Sequence, residues 1–176
     1  MSIFNPQIAL LIIDMINDFV SKDGVMHVAG AEEIIPAIKQ MSEEARNSGS
    51  PVIYICDLHR SSDIEFETWP RHAEDGTRGA EIVPQLSPAP SDFVIRKRRY
   101  SSFFDTDLDL LLKELGVVKL VLTGAAVDIC IYFTAGDAYM RGYQIVVPRR
   151  CVAALSESDQ QSTLRQMQRL FQAEII

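Results

Sequence analysis

Two groups of side chains in this chain have the types and spacing for chemistry. Asp57-Leu58-His59 puts a carboxylate and an imidazole two positions apart, and His72 follows in the same irregular stretch. One carboxylate and two neutral imidazoles make a three-ligand metal site that leaves positions open for water or substrate. Zinc is the first candidate for such ligands, and manganese or iron would also suit them. Glu65 and Glu67 lie between the two histidines as possible further ligands, whereas His27 has no partner of this kind. The plainer alternative is a pair of surface histidines with Asp57 as a turn cap.

The second group, Asp14, Lys97 and Cys130, has the makings of an activated thiol. The apolar run Val118 to Thr123 breaks at Gly124 and resumes as a helical pattern, which puts Cys130 near a helix start. The positive end of a helix dipole and unpaired backbone N–H groups there would favour a thiolate and could hold an oxyanion. A partly buried Asp14 could take the thiol proton, while the Lys97 ammonium stabilises nearby negative charge. Each member also has a plainer reading. Cys130 could be buried packing, Asp14 a strand-end turn, and Arg96-Lys97-Arg98-Arg99 a solvated or subunit-bridging patch, an account that suits the three arginines best. Asp18 fits a turn or cap, and Phe19 and Trp69 are candidate walls for a flat ligand, with core packing as the alternative.

The elements that must position these groups alternate. Gln7 to Asp14 is a near-continuous apolar run closed by an acid, the pattern of a strand buried on both faces. Further strands are predicted from Pro51 to Cys56, Asp92 to Lys97, Val118 to Thr123 and Tyr143 to Val147. Helical spacing covers Ala31 to Ser48, Asp107 to Leu115, the segment holding Cys130, and Glu157 to Ala173. Such alternation predicts an α/β fold with a mainly parallel sheet of about six strands in a three-layer sandwich. Asp14, Asp57, Lys97 and the turn before Cys130 then fall beyond the strands' carboxyl ends, where open parallel sheets bind ligands. Asp57 to Ser91 is too long for an idle connection and is expected to carry function.

Totals narrow the classes. A chain of 176 residues with 47% hydrophobic and 23% charged residues fits one globular domain spanning residues 1–176. A net charge of −7 argues against attraction to nucleic acid or anionic membranes, and no apolar segment is long enough to span a bilayer. Asp14 directly behind the first apolar run is unlike a signal peptide, so a soluble cytoplasmic protein is expected. Three cysteines, Cys56, Cys130 and Cys151, fit reduced thiols better than a disulfide framework.

Taken together, four stretches resemble the isochorismatase-like cysteine hydrolases, and within them the nicotinamidase (pyrazinamidase) branch. They are Asp14-Met15-Ile16-Asn17-Asp18-Phe19; Trp69-Pro70-Arg71-His72 with Gly76-Thr77-Arg78-Gly79-Ala80-Glu81; Lys97-Arg98-Arg99-Tyr100-Ser101-Ser102-Phe103; and Thr123-Gly124-Ala125-Ala126-Val127-Asp128-Ile129-Cys130. The resemblance implies a Rossmann-like sheet carrying an Asp14, Lys97, Cys130 triad. It also implies a cis peptide at Ala125-Ala126, with the N–H groups of Ala126 and Cys130 as an oxyanion hole. Asp57, His59 and His72 match the family's metal ligands, which receive a pyridine nitrogen in nicotinamidases. Ile16, Arg60 and Val127 depart from common family residues and leave the exact amide open.

The expected activity is hydrolysis of a small amide through a thioester, with nicotinamide as the leading substrate. Alternatives are an N-carbamoyl or ureido amidohydrolase on the same scaffold, and a non-catalytic binding or scaffold protein. Family members are commonly oligomeric, so a homo-oligomer is expected.

Overall fold

The computed structural model describes residues 3–176. Its centre is β1 (Ile8–Ile13), Ile-Ala-Leu-Leu-Ile-Ile, buried at every position. Strand geometry sends alternate side chains to opposite faces, and both faces of β1 are covered. Ile8, Leu10 and Ile12 pack with Ile35, Ile38, Met41 and Ala45 of α2 (Ile35–Asn47). Ala9, Leu11 and Ile13 pack on the other side with residues of α3 (Leu108–Glu114), α4 (Tyr132–Met140) and α5 (Glu157–Phe171). The result is the three-layer sandwich expected from the alternation.

On one side of β1 lie β2 (Val52–Asp57) and then β3 (Phe93–Lys97); on the other lie β4 (Lys119–Ala125), β5 (Gln144–Val147) and β7 (Glu174–Ile175). A short β6 (Val152–Ala153) pairs with β4, which completes a seven-stranded sheet in which neighbouring strands run parallel. The chain therefore builds outward from β1 in one direction, returns, and builds outward in the other. The reversal falls between β1 and β4, and a crevice opens at such a switch point beyond the strand ends. Asp14 follows β1, while Cys130 comes shortly after β4.

Close approach at this point demands glycine. Gly124 pairs with Ile13 and has φ of +116°, and a Cβ there would lie 1.9 Å from the Ile13 carbonyl oxygen. The Ala125–Ala126 peptide beyond it is cis.

Several boundaries differ from the expected ones: β4 runs through Gly124 to Ala125, in place of the expected break at Gly124. Turns occupy residues 31–34, and α2 begins only at Ile35, where Pro36 supplies a first-turn residue that needs no N–H partner. α5 stops at Phe171 because Gln172 is left-handed, with φ of +53°. Two strands, β6 and β7, are two residues long, too short for any periodic pattern to reveal. The stretch from 58 to 91 holds only short 3-10 turns, Ile64–Glu67, Arg78–Ala80 and Pro84–Leu86, in agreement with its irregular composition.

Candidate active site and metal cluster

Register brings the first charged pair together: Asp57 and Lys97 end neighbouring strands and are partners across them. The Lys97 ammonium donates to Asp57 Oδ1 at 2.5 Å, stands 2.8 Å from Asp14 Oδ2 and lies 3.5 Å from Cys130 Sγ. Asp14 reaches it by leaving β1 with φ of +55°, a left-handed turn that aspartate tolerates better than most residues. Its amide donates to the Ile55 carbonyl at 2.7 Å, and its Oδ1 accepts the Asp57 amide at 2.8 Å. Oδ2 is in ion-pair contact with Lys97 but accepts no aligned hydrogen bond. It is a buried acceptor with free capacity, and the Asp14 carboxylate lies within 4.8 Å of the thiol sulfur.

Burial and the Asp57 charge raise the Asp14 carboxyl to about 6, against the pull of Lys97. For Asp57, burial is outweighed by Lys97 and His59, and the group is held below the ordinary carboxylate range. Lys97 is an ammonium because Asp14, Asp57 and Cys130 together overcome its desolvation. Burial pushes the Cys130 thiol well above its usual value; both carboxylates add to this and Lys97 opposes it. The thiolate expected from a helix start is therefore not the favoured resting form. Cys130 sits inside a π-helical turn, Val127–Ile131, ahead of α4, and burial and the carboxylates beside it oppose the thiolate. Its proton needs an acceptor, and Asp14 is suited to the task above pH 6. With Asp14 as that base, kcat/KM should fall as pH drops below about 6, by about tenfold per unit, because protonation removes the acceptor. A pH–rate profile flat from 7 to about 4 would assign the base elsewhere.

Next to these groups lies the second cluster. His59 Nε2 and His72 Nε2 are 3.7 and 4.0 Å from Asp57 Oδ2. One donor atom from each of the three residues falls within 4.8 Å of the others, and all three residues are buried. His72 Nδ1 is 2.6 Å from the Pro70 carbonyl, which can only accept, so this nitrogen carries a proton and Nε2 offers a lone pair to the centre. His59 Nε2 is a buried nitrogen without a hydrogen-bond partner. The cluster fits a divalent cation by its donor set and by this orphaned atom. Asp57 belongs to both clusters, with one oxygen on Lys97 and the other toward the imidazoles.

Phe19 and Trp69 do face one cavity, together with Glu65, His72 and Cys130. Ala126 lines it as well. Glu67 and His27 are exposed. Several further residues of the site stand out only in three dimensions. Tyr100 shares the wall, and its hydroxyl accepts the Trp69 indole N–H at 2.8 Å; its place three residues after Lys97 is the one signal the sequence offers. Asn17 Nδ2 donates to the carbonyls of Arg78 (2.8 Å) and Glu81 (3.2 Å), and Asp18 Oδ2 accepts the Ala73 amide at 2.8 Å. Asp18 is thus no cap. It ties the loop carrying His72 to the short helix α1 (Asn17–Val20), and Gly79 is packed so tightly on its carboxylate that a Cβ would lie 2.1 Å away. Arg98 and Arg99, expected to be solvated or to bridge subunits, do keep part of their side chains in solvent, but their guanidiniums also clamp the buried Asp63 at 2.8 and 3.0 Å. The Cys56 thiol is buried and pushed up to about 12, and Cys151 is buried also.

An Isochorismatase domain model matches residues 8–176. The chain belongs to the isochorismatase family. Among relatives in this family, the uncharacterized protein YaaI of Bacillus subtilis is 36% identical over 95% of this chain and 92% of its own length. The structure of a pyrazinamidase/nicotinamidase from Streptococcus mutans superposes with a TM-score of 0.92 at 37% identity, covering 96% of this chain and 99% of that one. A pyrazinamidase of Pyrococcus horikoshii in complex with zinc also reaches 0.92, at 28% identity over 97% and 99% of the two chains. Proteins named N-carbamoylsarcosine amidase and ureidoacrylate amidohydrolase are relatives too. The isochorismatase-like hydrolase fold is therefore shared across neighbours with different amide substrates. Among the described residues, no helix is long and apolar enough to cross a membrane.

Proposed function

We propose that this isochorismatase-family protein is a cysteine-dependent amidohydrolase that converts nicotinamide to nicotinate and ammonia. The observation that carries the reading is the shared carboxylate of Asp57, which joins a buried Asp14–Lys97–Cys130 cluster to a three-ligand site opening on the same cavity. Asp14 takes the thiol proton as Cys130 Sγ attacks the amide carbon. The backbone N–H groups of Ala126 and Cys130 hold the resulting oxyanion, with Lys97 keeping the surrounding charge balanced. The proton on Asp14 passes to the leaving nitrogen, ammonia departs and a thioester remains. Water, deprotonated by Asp14, then cleaves the thioester and returns the proton to sulfur, so the enzyme ends as it began.

Asp57, His59 and His72 would hold the divalent ion, with zinc as the first candidate, and the ion would supply a Lewis-acidic anchor for a ring nitrogen. Trp69 and Phe19 would flank the flat ring.

N-carbamoylsarcosine and ureidoacrylate both carry a carboxylate besides the bond to be broken. Among the described residues, the cavity is lined by the acids Asp57 and Glu65 and by no arginine or lysine, which favours a neutral ring over an anion. The deciding experiment compares ammonia release from nicotinamide by zinc-loaded and by chelated protein, beside N-carbamoylsarcosine. Release from nicotinamide that drops at least about tenfold on chelation is expected. Turnover of the carbamoyl compound alone, indifferent to chelation, would replace this reading with the second one.

A further inference from the structure

We infer that Asp63 is a positioning residue that sets the tautomer and ring orientation of His59, an inference that rests on the metal reading of Asp57, His59 and His72. Asp63 lies outside the cavity wall, and its carboxylate is completely buried. Its Oδ2 faces His59 Nδ1 at 3.2 Å and accepts from Arg98 Nε at 2.8 Å. Its Oδ1 accepts from Arg99 at 3.0 Å and from the Glu65 amide at 3.2 Å. Both oxygens of a carboxylate with two guanidiniums on it can only accept, so the hydrogen facing Asp63 belongs to His59 Nδ1. In the neutral ring, that leaves the His59 lone pair on Nε2, the atom buried without a partner and directed at Asp57.

The placement has a consequence for assembly. Arg98 and Arg99 follow Lys97 directly, at the end of β3. One short segment therefore delivers the ammonium to the thiol and, through Asp63, orients an imidazole in the neighbouring cluster. Phe66 closes the remaining side of the ring edge-on, with centroids 5.4 Å apart, but a hydrophobic contact of this kind leaves the choice of tautomer open. Among the described residues, Asp63 is the charged group in contact with the Nδ1 edge.

The test uses the full chain with 15N-labelled histidine, of which it has three. In metal-free wild type at alkaline pH, where the ring is neutral, His59 is expected as the Nδ1–H tautomer. In Asp63→Asn and Asp63→Ala it should move toward the commoner Nε2–H form, while His72, held by the Pro70 carbonyl, stays as it was. Zinc affinity, read by competition with a chromophoric chelator, should fall about tenfold to a hundredfold in both variants. In a His59→Ala background, Asp63→Asn should cause no further loss. The isosteric Asn variant guards against simple misfolding of the alanine one. An unchanged His59 tautomer, or wild-type zinc affinity in Asp63→Asn while His59→Ala loses it, would overturn the role of Asp63 and leave the metal site standing. Zinc binding indifferent to His59→Ala would instead overturn the metal reading.

Discussion

Changing Cys130 to alanine is expected to lower kcat/KM for amide hydrolysis by about 10⁴-fold or more, with the fold intact. The size follows from the proposed route. Every covalent step passes through Sγ, and neither Asp14 nor Lys97 can replace it as a nucleophile held in the cavity. Stability should change little, because the side chain is short and its removal leaves the Lys97 contacts to Asp14 and Asp57 in place. Ammonia release, read beside the thermal midpoint of both proteins, checks the two halves together. A variant retaining a tenth of the wild-type rate would rule out the thioester.

Lys97→Met should be damaging in a different way, to stability as well as rate. Lys97 is the ammonium between two buried carboxylates and a buried thiol, and its own side chain has no exposure. Removing one partner from such a group strands the others, at a typical cost of about 3–5 kcal/mol. The carboxylates can escape part of that cost by taking up protons, which removes Asp14 as a base, so the rate should fall at least about a thousandfold near neutrality. The loss of stability depends on pH. In the variant the folded-state carboxyl values rise above their unfolded ones, so the loss is full at high pH and shrinks as pH falls toward the unfolded value. Urea unfolding at pH 8 and pH 5 should show the larger loss at pH 8. Equal losses at both would mean that Lys97 matters for packing and not for charge.

Residues at strand ends are legible in the sequence because the chemistry of their positions is regular. An apolar run closed by Asp14, another closed by Asp57 and a third by Lys97 point to one edge of a parallel sheet, and the fold puts them there. Gly124 points to the turn before Cys130, although β4 runs through it to Ala125, and local pattern misses the groups that oppose a thiolate there. A dipole can be read from neighbouring residues, whereas the two carboxylates that oppose it arrive from β1 and β2. Asp63 is hidden for the same reason: nothing in Arg60-Ser61-Ser62-Asp63 signals that two arginines from the end of β3 will close on it. Arg98 and Arg99 accordingly read as surface charge. The loop from 58 to 91 has no period to read. Its order comes from Asn17 and Asp18 holding its backbone, contacts between segments far apart in the chain.

The reversal of strand order at β1 and β4 also bears on how the protein matures. Asp14 and Cys130 become neighbours only when Ile13 and Gly124 pair, after α2, β2, β3 and α3 have already been laid down between them. During biosynthesis, a nascent polypeptide that has not yet closed this pairing carries an ordinary cysteine with no acid, ammonium or oxyanion pocket beside it. Any reactivity that Cys130 draws from these neighbours therefore waits on the pairing of β1 with β4, a step that β5, β6 and β7 follow in chain order.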